Sequence, residues 1–293
     1  MPYWDTQKLL DSCAQLQNCY RFLESTTGYR LILGGTRHFG YYVHGARWPF
    51  PLNRALRAME KNLGQALDLK PGSHVLDAGC GVSHVGVYLA TNFGFKILGI
   101  DIVDEYLEIS RRNIKNARLP EDQMSVQKID MNNLDALEPA TFDGVFTMES
   151  LSQVSDPQRV MHEFSRILRP GGKIALFEFD HVICKNPDSI LNSDGKSEEV
   201  KTLAQPGVLP LMLREAGFTN VMVRDYSINI LPMMLLFYQL AFGFFLVVRW
   251  LGLERFFVGF VAGFGAWCDR ECWRYVCVTA SKPARPSTPV ESD

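Results

Sequence analysis

The sequence predicts an α/β protein: a doubly wound, seven-stranded parallel sheet, with N-terminal helices and an apolar helical insertion between the sixth and seventh strands. Three observations predict it. From residue 71 onward short apolar runs alternate with amphipathic helical segments, the pattern of a parallel sheet covered on both faces. The turn "DAGCG" at 77–81 directly follows the first such run, where a doubly wound sheet brings a ligand closest to the backbone. A charge-free stretch, "ILPMMLLFYQLAFGFFLVV" at 230–248, interrupts the alternation before the last strand.

Taken in order, Leu9, Leu10, Cys13, Leu16, Tyr20 and Leu23 recur at helical spacing over 5–24, and predict an amphipathic helix. "GGTRHFGYYVHG" (34–45) is a glycine-punctuated loop crowded with aromatic rings and histidines. Leu52, Leu56, Met59, Leu63 and Leu67 mark a second helix ending at "LKPG". The core then alternates: strand "HVLDAGC", a helix from 84, strand "KILGIDI", helix "DEYLEISRRNIKNA", strands "MSVQKID" and "FDGVFTME", helix "PQRVMHEFSRIL", the "RPGG" turn and strand "KIALFEF". Helix "PLMLREAGF", strand "NVMVRDYSI" and strand "WRYVCVTASK" complete it, before a Pro- and Ser-rich tail with the composition of a disordered segment. The regions are therefore an N-terminal cap (1–70), the core (71–230), the insertion (231–271), the last strand (272–283) and the tail (284–293).

Composition narrows the function. With 30 basic against 32 acidic residues and 47% hydrophobic residues, the chain suits a globular protein and lacks the basic excess that grips a nucleic acid backbone. Seven cysteines with no CxxC pair supply neither a metal-ligand set nor a paired disulfide framework. Free thiols suit a reducing interior, and Asp5 with no unbroken apolar run is not a secretory signal. The expected location is cytoplasmic, or peripheral on an intracellular membrane.

A dinucleotide fingerprint needs a small third residue after Gly79 and Gly81, and the chain has His84 there. Asp77 stands just ahead of the glycines, an acid that repels a pyrophosphate and favours a cation. Asp101 ends the second strand, twenty residues after Gly81, where a carboxylate can accept from both hydroxyls of a ribose. Asp130 ends the third, where it and the next N–H could read an adenine edge. Three acids at successive strand ends, with no Lys or Arg in the turn, describe a pocket for a positively charged nucleoside such as S-adenosylmethionine.

On "VLDAGCG", "GIDI", "KIDM" and "LRPGGKIALFEF", in that order and spacing, residues 71–180 resemble a class I S-adenosylmethionine-dependent methyltransferase, with its Rossmann-like core. By that resemblance Asp77, Gly79 and Gly81 line the methionine part, Asp101 the ribose, and Asp130 with Met131 the adenine, with Cys80, Ile102 and Glu149 also among the cofactor-binding residues. "HFGYY" and "MESLSQVSDPQRVMHEFSRILRPGG" are similar to the sterol and tocopherol methyltransferase-like branch. That branch has a glutamate at Glu149, here a pocket-lining acid, and a histidine where this chain has Gln153, which cannot titrate near neutral pH.

The resemblance implies methyl transfer to a lipophilic small molecule, a terpenoid, sterol-like compound, polyketide or alkaloid. The cofactor supplies the chemical drive, and alignment with water exclusion carries the rest; no metal is required. For a hydroxyl or amine acceptor, His38, His44 or His181 could serve as base. For a carbon acceptor, the ring faces of Tyr41 and Tyr42 could stabilise cationic charge. A nicotinamide oxidoreductase is disfavoured by His84 and Asp77. A silent relative would tend to lose the glycine turn or Asp101, and the chain keeps both.

The insertion is just long enough to cross a bilayer at about 20 residues, but a single crossing would leave the seventh strand on the wrong side of the sheet, and Pro232, Gln239 and Gly243 weaken the span. Its alternatives are a lid over an apolar substrate chamber, a patch over 230–267 that dips into one leaflet, or a homodimer interface.

Overall fold

The computed structural model describes residues 36, 38–181, 207–250 and 273–284, with Gln153, His181, Ala241 and 243–250 described by backbone alone. The expected helix over 5–24, the insertion beyond 250 and the tail beyond 284 lie outside the described residues.

The first described helix, α1 (Leu52–Leu67), buries Leu52, Ala55, Leu56, Met59, Leu63 and Leu67 along one face, as the helical spacing requires. The core follows as β1 (His74–Ala78), α2 (His84–Phe93), β2 (Lys96–Asp101), α3 (Asp104–Asn116), β3 (Met124–Lys128) and β4 (Phe142–Met148). A short 3-10 turn (Leu151–Gln153) leads to α4 (Pro157–Ile167) and β5 (Leu168–His181). Asp156 caps α4 by accepting from Arg159 N–H, and Pro157 takes the first helical position, where a missing N–H costs nothing. Next come α5 (Val208–Glu215), β6 (Thr219–Asp225), α6 (Ser227–Trp250) and β7 (Trp273–Ser281).

The strands form one sheet in the order β3-β2-β1-β4-β5-β7-β6. The chain winds outward from β1 to β3 and returns to lay β4 against the other side of β1, so the winding reverses between β1 and β4, where such sheets bind ligands. The sheet is mixed rather than wholly parallel: β7 runs antiparallel to both β5 and β6. The cause is the insertion. It leaves the carboxyl end of β6 and returns at that same end, where Trp273 pairs with His181, so β7 can only run back down the sheet.

One face of the sheet packs against α4 and α5 through Leu76, Ile100, Val145, Phe164, Met212 and Val278. The other packs against α1, α2 and α3, and against the start of α6, through Val75, Ile97, Phe146, Leu63, Leu89 and Ile230. Each such side chain taken fully from water contributes about 1.5–3 kcal/mol.

Two boundaries differ from expectation. The sixth strand stops at Asp225 rather than 228, because Asp225 Oδ1 accepts from Ser227 N–H at 2.8 Å and so starts α6. "RPGG" belongs to β5 as an irregularity, the ladder to β4 jumping from Leu168 to Lys173. Pro232 lies inside α6. Among the described residues no helix is long and apolar enough to cross a membrane.

The strap over 38–43 lies across α1 and α6. Tyr41 N–H donates to Ala55 O and Tyr42 N–H to Asn229 O, both at 2.9 Å, and Asn229 Nδ2 returns a bond to Tyr42 O at 2.7 Å. Gly40 lies so close to α1 that a Cβ there would meet Ala55 Cβ at 2.7 Å.

Candidate active site

After β1 the backbone turns through Gly79 (φ +82°) and Gly81 (φ +52°), left-handed values that glycine adopts without cost. A Cβ on Gly79 would meet Ser150 Cβ at 2.5 Å, whereas one on Gly81 would have nothing within 4 Å. Gly79 is thus needed for packing, and Gly81 leaves open space beside the backbone. Ser110 and Asn113 of α3 donate to the carbonyls of Gly81 and Val82, both at 2.8 Å, and steady the turn. Cys80 is buried in it, and burial pushes its thiol pKa well up, which suits packing and not nucleophilic chemistry.

Asp77 is buried, and its Oδ2 has no hydrogen-bond partner. Burial, with the Asp101 charge adding to it, pushes its pKa up to about 8. The close helix-to-strand approach that a third glycine would give is supplied two residues beyond His84: a Cβ on Gly86 would meet Met124 Cε at 2.6 Å and Asp77 Oδ2 at 3.1 Å. His84 itself begins α2, half-buried, and its pKa is lowered by burial and by Arg57.

Asp101 ends β2 and takes one backbone donor on each oxygen, Gly81 N–H on Oδ2 and Val103 N–H on Oδ1, both at 2.9 Å. Each oxygen keeps a lone pair for a further donor, and Ile102 beside it presents an exposed apolar side chain. β3 stops at Lys128, so Asp130 stands two residues past the strand end, exposed, its Oδ1 accepting from Asn132 N–H at 2.9 Å and Nδ2 at 2.8 Å. Met131 is buried, its Cε 3.2 Å from where a Gly79 Cβ would lie. Of these residues, Asp101 bonds to the turn directly and Met131 reaches Gly79.

The expected bases and ring faces do not gather so well. His38 is buried, with Nδ1 3.0 Å from Phe39 O and Nε2 3.4 Å from the buried carboxylate of Glu60, which Arg57 also holds at 2.6 Å. A side chain so enclosed is a structural hydrogen-bonder rather than a base open to substrate. His44 lies exposed in a surface turn. Tyr42 is buried against the strap's own return, donating to Pro49 O at 2.8 Å, and burial pushes its pKa up to about 12. Tyr41 packs edge-on to Tyr226 at 5.6 Å. Gln153 lies in the 3-10 turn and His181 ends β5; their side chains lie outside the description.

Glu149 does sit at the centre, at the carboxyl end of β4, with φ +58°. Its Oε1 accepts from Phe39 N–H at 2.8 Å and from Tyr275 O–H at 2.9 Å. Burial raises its pKa, while those two bonds and the nearby His38 oppose the rise. Beneath it, buried Glu178 accepts from Ser150 N–H at 3.1 Å and Leu151 N–H at 3.3 Å, its own pKa pushed up to about 7 by burial. Ser150 Oγ donates to Ala78 O at 2.8 Å, tying this loop to the glycine turn.

Ser150, Glu178, Tyr275 and Phe39 were not singled out from the sequence. Glu178 left a signal, an acid inside the apolar strand "KIALFEF", and Phe39 and Ser150 lie within the stretches "HFGYY" and "MESLSQ"; Tyr275 left none. Around Glu149 the rings of Phe39, Phe179, Phe237, Trp273 and Tyr275 form a chain of contacts 5.0–6.3 Å apart, with Phe237 coming from the insertion. This is an aromatic wall at the carboxyl end of the sheet. An apolar cavity of about 210 Å³ opens beside Trp273, bordered by Ser227, Ile228 and Leu231. A larger one, about 510 Å³, lies at the opposite, amino end, by His74, Lys96 and Arg169, away from these groups.

Residues 76–176 match the family described as a methyltransferase domain. The chain is 39% identical, over 92% of its length and 94% of the relative's, to the S-adenosyl-L-methionine-dependent Diels-Alderase iccD of Talaromyces variabilis. It is 28% identical, over 69% of its length and 74% of the relative's, to an O-methyltransferase of Pyrenophora dematioidea. The solved structure of the [4+2]-cyclase SpnF has the same fold, with a TM-score of 0.70 and 22% identity over 92% of this chain and 97% of that one. The turn fits a cofactor that carries an ammonium and a sulfonium: buried Asp77 Oδ2 lacks a donor among the described residues, and Gly81 leaves room. By this turn, and by likeness to iccD along nearly its whole length, the chain belongs to the class I S-adenosyl-L-methionine-dependent methyltransferase family, with S-adenosyl-L-methionine as its cofactor.

Proposed function

We propose that the chain is a cofactor-dependent cyclase of secondary metabolism that closes a linear, hydrophobic polyene by intramolecular cycloaddition. The observation that carries this reading is the 39% identity to a Diels-Alderase across both the core and the insertion. The site geometry supports it. Transfer to a hydroxyl or amine asks for a base; of the candidates whose side chains are described, His38 is tied to Glu60 and Phe39 O and His44 lies on the surface. A cycloaddition asks for none: a diene and an alkene give up three π bonds, form two σ bonds and one new π bond, and neither lose nor gain an atom.

Such a reaction needs the chain folded so that its ends meet. The aromatic wall, closed by Phe39 from the strap and Phe237 from α6, offers a water-poor surface on which a polyene can coil into the reactive shape, and pre-organisation of this kind removes several kcal/mol of barrier, about 1.4 kcal/mol per tenfold in rate. Asp77, Gly81 and Asp101 would hold the cofactor by its ammonium, its methionine backbone and its ribose, with Ile102 and Met131 against the adenosine and Asp130 at the adenine edge. When bound, the cofactor supplies a fixed positive charge beside the chamber and, for a nucleophilic acceptor, a methyl group.

Methyl transfer to a lipophilic acceptor is the second reading, favoured by the intact glycine turn and by the O-methyltransferase relative. One experiment separates them. The purified chain with S-adenosyl-L-methionine is given linear polyene polyketides, and products are weighed by mass spectrometry. An isomer of unchanged mass supports the cyclase; a product heavier by one CH2, with release of S-adenosylhomocysteine, supports transfer and overturns the cyclase.

A further inference from the structure

We propose that Glu149 is the chamber's hydrogen-bond donor, holding through Oε2 a carbonyl oxygen that is conjugated to the reacting alkene of the polyene. The substrate class this names is a polyenone or polyene amide rather than a plain hydrocarbon polyene. The assignment rests on the cyclase reading above.

The two oxygens of Glu149 are treated unequally. Oε1 accepts both Phe39 N–H at 2.8 Å and Tyr275 O–H at 2.9 Å, which fills its two lone pairs. Oε2 takes no hydrogen bond from a described residue, and the residue is only partly buried. A carboxyl group with two donors on one oxygen carries its proton on the other. In the protonated form, which burial favours, Oε2–H is therefore the donor of a group whose other oxygen is fixed.

The backbone points the same way. Glu149 is held at φ +58°, a left-handed conformation that costs a residue with a long side chain about 1–3 kcal/mol and collects at functional sites. Its N–H donates to Phe177 O at 2.8 Å, and the next two N–H groups donate to Glu178. Three separate parts of the chain, the strap, β5 and β7, hold this side chain and its backbone where they are.

Burial favours the protonated form. The titratable groups that face Glu149 are His38 on the strap, Tyr275 on β7 and Glu178 on β5; Glu178, once ionised, repels a second negative charge. A donor on the carbonyl draws electron density from the alkene and lowers the cycloaddition barrier. The proton stays on Glu149, and no group leaves.

The test uses the full chain with S-adenosyl-L-methionine and a synthetic trienone, a conjugated diene joined by a short saturated tether to an enone. Isomer formation is followed from pH 5 to 9 in wild type, Glu149→Gln and Glu149→Ala. The wild-type rate is expected to fall as pH rises through the raised pKa of Glu149. In Glu149→Gln the amide oxygen still accepts from Phe39 and Tyr275, and the amide nitrogen donates at every pH. Its rate should be lower than wild type at pH 5, flat with pH, and higher than wild type at pH 9. Glu149→Ala should lose about 10- to 100-fold at pH 5, less than a full oxyanion-hole donor because the carbonyl gains only partial charge. Loss in Glu149→Gln equal to that in Glu149→Ala would make Glu149 an acceptor or base and overturn the assignment alone, as would an unaffected Glu149→Ala. A wild-type chain that forms no isomer, or adds a CH2, overturns the cyclase reading and the assignment with it.

Discussion

Tyr275 O–H donates to Glu149 Oε1 at 2.9 Å, so the strand that follows the apolar insertion reaches across β5 to hold the acid at the end of β4. The bond stabilises the ionised carboxylate, and removing it must raise the Glu149 pKa further. Tyr275→Phe is therefore expected to move the falling limb of the pH–rate profile to higher pH. Stability should drop by about 1 kcal/mol for one buried hydrogen bond. A profile that keeps its shape while the melting point falls would assign Tyr275 a packing role alone.

Asp77 makes cofactor binding depend on pH. In the unliganded chain its pKa is raised from 3.8 to about 8, so the folded state holds its proton more tightly than the unfolded one, and the unliganded chain loses stability as pH rises from 3.8 towards 8. A cationic cofactor favours the ionised carboxylate, and binding at pH 7 must release a proton. Affinity should therefore rise between pH 6 and 8, up to about tenfold per pH unit. Calorimetry in two buffers of different ionisation enthalpy measures the proton directly. Asp77→Asn should bind more weakly at pH 8 and release nothing; proton release that persists in this variant would place the titration elsewhere.

Gly79→Ala is expected to disturb both the turn and the Glu149 loop. The added methyl faces a backbone at φ +82° and Ser150 Cβ at 2.5 Å, an overpacking and strain cost of about 1–3 kcal/mol. The melting temperature should fall, and the cofactor-induced rise in it should shrink. Adding Ser150→Gly removes the clash but not the strain, so thermal melts of the double variant should recover part of the loss. No recovery would show that Ser150 is not what confines Gly79.

Asp101→Ala should abolish the shift in melting temperature that the cofactor produces. The variant loses a charged acceptor from two backbone N–H groups, Gly81 and Val103, each such bond being worth about 1.5–3 kcal/mol, and with them the tether between β2 and the glycine turn. Unchanged affinity in a titration would remove Asp101 from the cofactor site.

The sequence by itself determined what depends on neighbours in the chain. The alternation of strand and helix is written in apolar spacing, because the periods of 2 and 3.6 residues are properties of the backbone. "DAGCG" is legible because left-handed turns need glycine, and Asp101 because it closes the strand that follows. The aromatic loop could be noticed, but not the surroundings of its histidines: whether His38 is open or enclosed depends on Glu60, 22 residues away on α1. Only the tertiary structure joined Phe39, Glu149 and Tyr275, which are 110 and 126 residues apart in the chain, and only it turned β7 against its neighbours, because β6 ends and β7 begins at the same end of the sheet. Local spacing sets which elements form. Burial, partnering and protonation belong to contacts between elements distant in the chain, and no window of sequence contains them.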